Sequence, residues 1–108
     1  RQDDELLALA GLWEGKKLDN GQILRTFTVI TCTGNGDIEA IHHRMPVVLE
    51  WESWAVWLGE QDRSLAEVAK LMGPCRAGLL KLWPVDKRVG NTRNNDPDLV
   101  KPVAPQAL

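Results

Sequence analysis

The pair Asn20-Gly21, followed by Gln22 to Thr33 (QILRTFTVITCT), constrains the fold of this chain more than any other stretch. Asn-Gly tolerates positive φ at both central positions of a type I′ turn, whose twist matches that of two antiparallel strands. The residues after it are rich in β-branched side chains with partial alternation, which suits a pleated surface. A strand that leaves such a turn needs another arriving at it. Leu6 to Glu14 is ambiguous by itself, because leucine and alanine favour helix and the segment has no clean period of two. The turn settles the reading, with strands at Leu6 to Glu14 and Ile23 to Cys32.

Beyond the hairpin, Thr33 to Gly36 reads as a polar turn and Asp37 to Ile41 as about one helical turn. Pro46 pushes Met45 away from helical geometry, so the chain runs extended into Val47, Val48 and Leu49, a buried strand. Glu50 to Leu58 reads as helix. Trp51, Trp54, Ala55 and Leu58 share one apolar face, Trp57 lies off it, and Gly59 ends it. Tryptophans at that spacing suit a core more than a stacking site. Ser64 with Glu67 forms a capping box that starts a second helix, Leu65 to Met72, stopped by Gly73-Pro74. Leu79 to Val85 reads as a strand, with Pro84 suiting an edge or a bulge. Asp86 to Pro97 reads as an ordered irregular loop, Leu99 to Val103 as a short extended piece, and Ala104 to Leu108 as frayed. The fold class is therefore α+β, mainly antiparallel strands with two short peripheral helices.

At 108 residues the chain fits one domain. No apolar run approaches the ~20 residues needed to span a bilayer, so no membrane partner is expected. The polar, acidic start RQDDE is unlike a signal peptide. Cys32 and Cys75 are too far apart for a CxxC motif and read as free thiols of a reducing cytoplasm. The net charge of −2 is not the footprint of a protein that holds nucleic acid by bulk electrostatics. Charge is uneven, though: residues 1–80 carry 8 basic and 12 acidic side chains, residues 81–108 carry 5 and 3. A polyanion contact would favour the C-terminal loop; a solvated face is the plainer reading. There is no nucleophile elbow, P-loop, dinucleotide fingerprint or HExxH helix, which excludes hydrolases, kinases and oxidoreductases of those types.

Most of the chemistry lies in Asp37 to Leu58. His42 and His43 are the chain's two histidines, on a loop between a short helical turn and a core strand. Imidazole exchanges a proton near neutral pH, so one of them is the best catalytic candidate. A His-His pair in a loop also serves as a hydrogen-bonded surface feature. A zinc site from Cys32, Cys75, His42 and His43 lacks any ligand-pair spacing, and no metal or other cofactor is expected.

Ile41-His42-His43-Arg44-Met45-Pro46-Val47-Val48-Leu49 resembles the Ile-His-Asp-Arg-Met-Pro-Val-Ile-Leu segment of the SOS-response-associated peptidase (SRAP) family. Leu9-Ala10-Gly11-Leu12-Trp13-Glu14 resembles the family's Ala-Gly-Leu-Trp-Glu strand. Val89-Gly90-Asn91-Thr92-Arg93-Asn94-Asn95-Asp96-Pro97 resembles its Val-Asn-Asn-Pro-Arg-Asn-Asp-Asp-Pro loop. The likeness runs from about Leu6 to about Lys101 and matches the C-terminal half of a family member. It implies that residues 1–108 are the C-terminal part of one larger, distorted barrel-like domain, whose N-terminal part is the missing partner.

The resemblance further implies covalent attachment to abasic sites in single-stranded DNA, through a mature N-terminal cysteine whose amine and thiol close a thiazolidine on the sugar aldehyde. It implies processing of the protein's own N terminus and a DNA-damage-response role in the cytoplasm, at the nucleoid when bound to DNA. Neither Cys32 nor Cys75 can close that ring, since an internal cysteine's nitrogen is locked in an amide. The family's histidine maps to His42, while His43 replaces its usual aspartate. Glu14 mimics a family glutamate but falls one strand later, so it reads as a strand-end carboxylate facing water.

Arg44 suits a bidentate phosphate contact or a carboxylate at the core edge. Arg93, with Asn91 and Asn94 around it, suits contact with a single strand's backbone, and equally a loop stapled by asparagine side chains. A rival class of function is a non-enzymatic interaction module using the tryptophan helix and a sheet edge.

Overall fold

In the computed structural model, which describes residues 1–105, three stretches of chain meet at one point and exchange partners there. β1 (Ala8–Leu9) pairs antiparallel with β6 (Val48–Leu49), β2 (Gly11–Lys17) with β3 (Ile23–Val29), and β4 (Thr31–Thr33) with β5 (Arg44–Pro46). A single residue separates each strand from the next along its stretch: Ala10, Ile30 or Val47. Their peptides close a ring. Ala10 N–H donates to the Val47 carbonyl at 2.9 Å, Val47 N–H to the Ile30 carbonyl at 2.8 Å, and Ile30 N–H to the Ala10 carbonyl at 2.9 Å. Buried peptides must find partners, and here each does so at the point where its ladder changes neighbour.

The core lies around this ring. Ala10 and Val47 are fully buried, and Cys32, Met45 and Leu49 complete the central cluster. Trp54 and Trp57 cover it, and both indole N–H groups find carbonyls: Trp54 Nε1 donates to Leu49 at 2.9 Å and Trp57 Nε1 to Gly11 at 3.1 Å. An apolar body with a satisfied polar tip is what a half-buried tryptophan requires. The expected α+β class of antiparallel strands with two short helices is thus what the chain adopts. The described strands form three two-stranded sheets and close no barrel.

Several sequence expectations need correction. The hairpin forms, but not through a type I′ turn: Gly21 has φ +84°, while neither Asp19 nor Asn20 has positive φ. Gly21 N–H donates to Leu18 and Leu18 N–H to Gln22, so the loop is a three-residue one with a left-handed glycine, the commonest alternative to the two-residue turn. The tryptophan helix begins as a 3-10 turn, Trp51–Ser53, before α1 (Trp54–Trp57). That tighter start rotates the face, so Trp54 and Trp57 turn inward and Trp51 and Leu58 outward.

α2 (Leu65–Ala69), extended by a 3-10 turn to Met72, carries the expected capping box: Glu67 N–H donates to Ser64 Oγ at 3.2 Å and Ser64 N–H to Glu67 Oε2 at 3.0 Å. Leu79 to Val85 is not a strand; it is irregular, anchored by buried Leu79 and by single bonds from Gln2 N–H to Leu79 and Val103 N–H to Pro84. Leu99 and Val100 belong to a 3-10 turn, Pro97–Val100, capped by Asp96, with extended chain only after it. The expectation of a frayed tail falls mainly on residues 106–108, outside the described residues.

The β2–β3 hairpin projects away from this core. Trp13 and Phe27 sit directly opposite one another, yet are 72% and 81% exposed. The radius of gyration is 17.4 Å, against about 13 Å for a packed domain of this length. A bare two-stranded hairpin is marginal in water, so this arm needs a surface to lie against.

The junction gives a direct test. Ala10 is fully buried, so Ala10→Leu has to push the three stretches apart. Urea unfolding will show a loss of about 1–3 kcal/mol, as overpacked cores do. An unchanged midpoint would mean that the junction has room the structure does not show.

Candidate functional site

The loop that carries the histidines is held from both ends. On its first side, Asn35 starts the turn: its carbonyl accepts from Ile38 and Glu39 N–H at 3.0 and 2.9 Å, and its side-chain Oδ1 accepts from Asp37 and Ile38 N–H at 3.1 Å each. The turn ends at Ile41 and His42, whose N–H groups both reach the Ile38 carbonyl, at 2.8 and 2.9 Å. On the other side, β5 pairs with β4 as far as Thr33 and Arg44. Gly34 N–H continues that pairing to the His43 carbonyl at 2.9 Å. A Cβ at Gly34 would lie 2.8 Å from the His42 carbonyl oxygen, so only glycine lets the two strands of the loop approach this closely.

His42 is exposed, but its ring is fixed. Nδ1 accepts from Arg44 N–H at 2.9 Å and also lies 3.1 Å from the Arg44 carbonyl. The one residue therefore offers a donor to bare Nδ1 and an acceptor to protonated Nδ1. Nε2 makes no hydrogen bond within the described residues, leaving it free to exchange a proton with a bound molecule. His43 stacks on His42, with ring centroids 4.6 Å apart and planes 16° from parallel. Its side chain makes no hydrogen bond among the described residues, so the ring acts as a flat wall beside His42.

Arg44 pairs with no carboxylate among the described residues. Its Nη2 donates to the carbonyl and the hydroxyl of Thr31 at 2.8 and 2.9 Å, on the strand beside it, leaving Nε and Nη1 free among the described residues. His42, His43 and Arg44 thus form one group. Asn91 and Arg93 lie apart, in the C-terminal loop, with no hydrogen bond to that group among the described residues. There Asn91 Oδ1 accepts from Arg93 N–H at 3.0 Å and Asn94 Nδ2 donates to the Arg88 carbonyl at 2.8 Å, so the asparagines staple the loop. Asn91 spends its side-chain carbonyl on the chain itself, while the Arg93 side chain is exposed and makes no hydrogen bond among the described residues.

Glu14 is exposed in the middle of β2, opposite Thr26, rather than at a strand end. Cys32 is buried in the core, and burial pushes the partly buried Cys75 thiol up, which keeps it protonated and inert. No cluster of three or more His, Cys, Asp or Glu that could hold a metal gathers among the described residues. No described helix is long and apolar enough to cross a membrane.

Asn35 escaped the sequence reading, which treated Thr33 to Gly36 only as a polar turn. The available signal was an asparagine placed to cap the helical turn that follows it.

Gly34→Ala will place its methyl against the His42 carbonyl. In ¹H–¹⁵N spectra the His42, His43 and Arg44 amides should shift strongly while those of α2 stay in place, and the melting temperature should fall. Unmoved histidine-loop amides would contradict the close approach described.

Residues 1–92 match the family described as SOS response associated peptidase (SRAP). The chain is 36% identical over 108 residues to the abasic site processing protein YMR114C of Saccharomyces cerevisiae, covering 95% of this chain and 28% of that protein. It is 33% identical over 100 residues to the abasic site processing protein YoqW of Bacillus subtilis, covering 93% and 45%. It is 35% identical over 102 residues to the abasic site processing protein HMCES of Gallus gallus, covering 91% and 29%. An X-ray structure of a protein from Bacteroides thetaiotaomicron matches with a TM-score of 0.79 at 28% identity, over 94% of this chain and 45% of that one. The chain spans less than half the length of each of these proteins. Sequence and backbone agree over nearly its whole length: the chain belongs to the SOS response associated peptidase (SRAP) family.

Proposed function

We propose that this chain is the histidine-bearing, C-terminal part of an SRAP domain that processes abasic sites in single-stranded DNA, with His42 as its acid/base group. The observation that carries the reading is the fixed imidazole of His42, held at Nδ1 by Arg44 with Nε2 free. Relatives named as abasic site processing proteins supply the substrate class.

An abasic sugar is mostly a closed hemiacetal. Opening it moves a proton from the anomeric hydroxyl to the ring oxygen and leaves an aldehyde. The α-amine and thiol of an N-terminal cysteine then add to that carbon, its oxygen leaves as water, and a thiazolidine remains. Each step shifts a proton at neutral pH, the task imidazole suits. With Nδ1 held by the Arg44 N–H when bare and by the Arg44 carbonyl when protonated, Nε2 can deliver or take up that proton while the ring stays in place. Reversal of the linkage and processing of the N terminus would draw on the same group. Neither Cys32 nor Cys75 can be that cysteine, since their nitrogens are in amides, and we assign it to the N-terminal part of the domain.

Arg44 and Arg93 are the proposed phosphate contacts, each through guanidinium edges that no protein group occupies among the described residues. Asn91 holds the loop that presents Arg93. The exposed faces of the β2–β3 hairpin support an intramolecular partner, the N-terminal part of the same domain, closing a larger barrel-like sheet. A free-standing interaction module has less support, because Trp54 and Trp57, the heart of its proposed surface, are committed to the core.

Crosslinking kinetics on single-stranded abasic DNA, with the full-length protein, test the assignment. His42→Ala should slow crosslinking or its reversal by ~10²–10⁴ without unfolding the protein, whereas His43→Ala should stay within a few-fold. A large loss with His43→Ala, or wild-type rates for both variants, would remove His42 from the mechanism. Residues 1–108 made alone should self-associate or aggregate in sedimentation velocity and become monomeric with the N-terminal part added. A monomer with a cooperative melt would favour the interaction module instead.

A further inference from the structure

Among the described residues, Asn35 is the one buried polar residue, 9% exposed, and every group of its amide is used. Its oxygen caps the turn leading to His42. Its Nδ2 turns the other way, donating to the Cys75 carbonyl at 3.1 Å and lying 3.5 Å from the Cys75 sulfur. Its backbone N–H points at Met45 Sδ, 3.3 Å away, in the strand that follows the histidines. A single residue therefore ties the start of the histidine turn to β5, through its backbone N–H, and to Cys75, through its side chain. Asp37 adds a second tie just beyond Cys75, accepting from Gly78 N–H at 2.8 Å.

We infer that Asn35 is a positioning residue for His42, acting through the turn it caps and the segment it grips. The inference rests on the functional reading above, in which His42 moves the proton. Asn35 touches neither histidine. What it controls is where the turn ends, and His42 N–H is the last donor of that turn. Above it the ring is held by the N–H and carbonyl of Arg44 and stacks on His43, both within the same loop, so a turn that slides carries Nε2 with it. A misplacement of ~1 Å in a reacting group is enough to cost about 10² in rate.

Asn35→Asp separates the two duties. It keeps the oxygen that caps the turn and replaces the donor that grips Cys75 with an acceptor facing the Cys75 carbonyl. Asn35→Ala removes both. In single-turnover crosslinking to single-stranded abasic DNA with the full-length protein, the maximal rate should fall about 10-fold for Asn35→Asp and about 10²-fold for Asn35→Ala. The DNA concentration for half-saturation should move less than the rate, since the Arg44 guanidinium is held by Thr31 on β4 and Arg93 lies in the C-terminal loop.

The decisive readout is the combination with His42→Ala. Residues acting as one unit are not additive, so Asn35→Asp in the His42→Ala background should cause no further loss of rate. A merely structural asparagine would multiply its loss onto that of His42→Ala, and that result would overturn the inference. If His42→Ala itself reacts like wild type, the functional reading falls and the positioning role with it. A readout independent of activity is the ¹⁵N spectrum of the imidazoles. In Asn35→Asp the His42 ring nitrogens should shift away from the pattern of an Nδ1 acceptor while the amides of α2 remain folded. An unchanged ring pattern would also overturn the inference.

Discussion

Everything in this structure depends on a ring of three peptide hydrogen bonds. Ala10 gives its N–H to Val47, Val47 to Ile30 and Ile30 to Ala10, so three stretches of chain part into three arms with the peptides at the junction paired. The core packs around this point, with Ala10 and Val47 completely buried and Ile30 partly buried against them. The arms then have separate duties. β4 and β5 carry the histidine loop, β1 and β6 bring in the tryptophan helix, and β2 and β3 project as the hairpin. The histidines are placed by the first arm, within a few residues of the ring, so their position inherits the rigidity of the core.

The same geometry explains the contrast between the two sides of the molecule. Near the junction, side chains are buried and polar groups are satisfied: Trp54 and Trp57 find carbonyls, and Asn35 uses its whole amide. Along the hairpin, the Trp13 and Phe27 pair faces solvent. Burying large aromatic side chains is worth about 1.5–3 kcal/mol each, so leaving a facing pair bare is a considerable omission for a domain of marginal stability. The proposed remainder of the domain covers it. Charge plays a smaller part: the ion pairs Arg76–Glu50, Arg88–Asp96 and Lys101–Asp98 lie at the surface, and Arg1–Asp3, with its arginine largely covered, is local to the first turn of the chain.

What was legible in the sequence is what local chemistry dictates. Asn20-Gly21 announced a hairpin, Ser64 and Glu67 a capped helix, and Pro46 an extended entry into Val47–Leu49, and each element formed. The histidine loop could be placed because it lies between such signals. What was not legible depends on distant partners. The turn adopted a three-residue form because pairing of Leu18 with Gln22 fixed the register, which Asn-Gly alone does not specify. The tryptophan face was misphased because the 3-10 start changes the angular step per residue. Leu79 to Val85 has strand composition but pairs with no strand among the described residues, and Pro84 removes a donor. The junction itself was invisible, since Ala10, Ile30 and Val47 look like ordinary apolar residues until three separated stretches meet.

Hydrogen exchange measured residue by residue on the full-length protein addresses the ring most directly. If it is the point on which the fold and the histidine loop rest, the Ala10, Ile30 and Val47 amides will exchange together and among the slowest, only through global unfolding. Exchange of those amides as fast as that of the β2–β3 turn, or at three unrelated rates, would contradict the account.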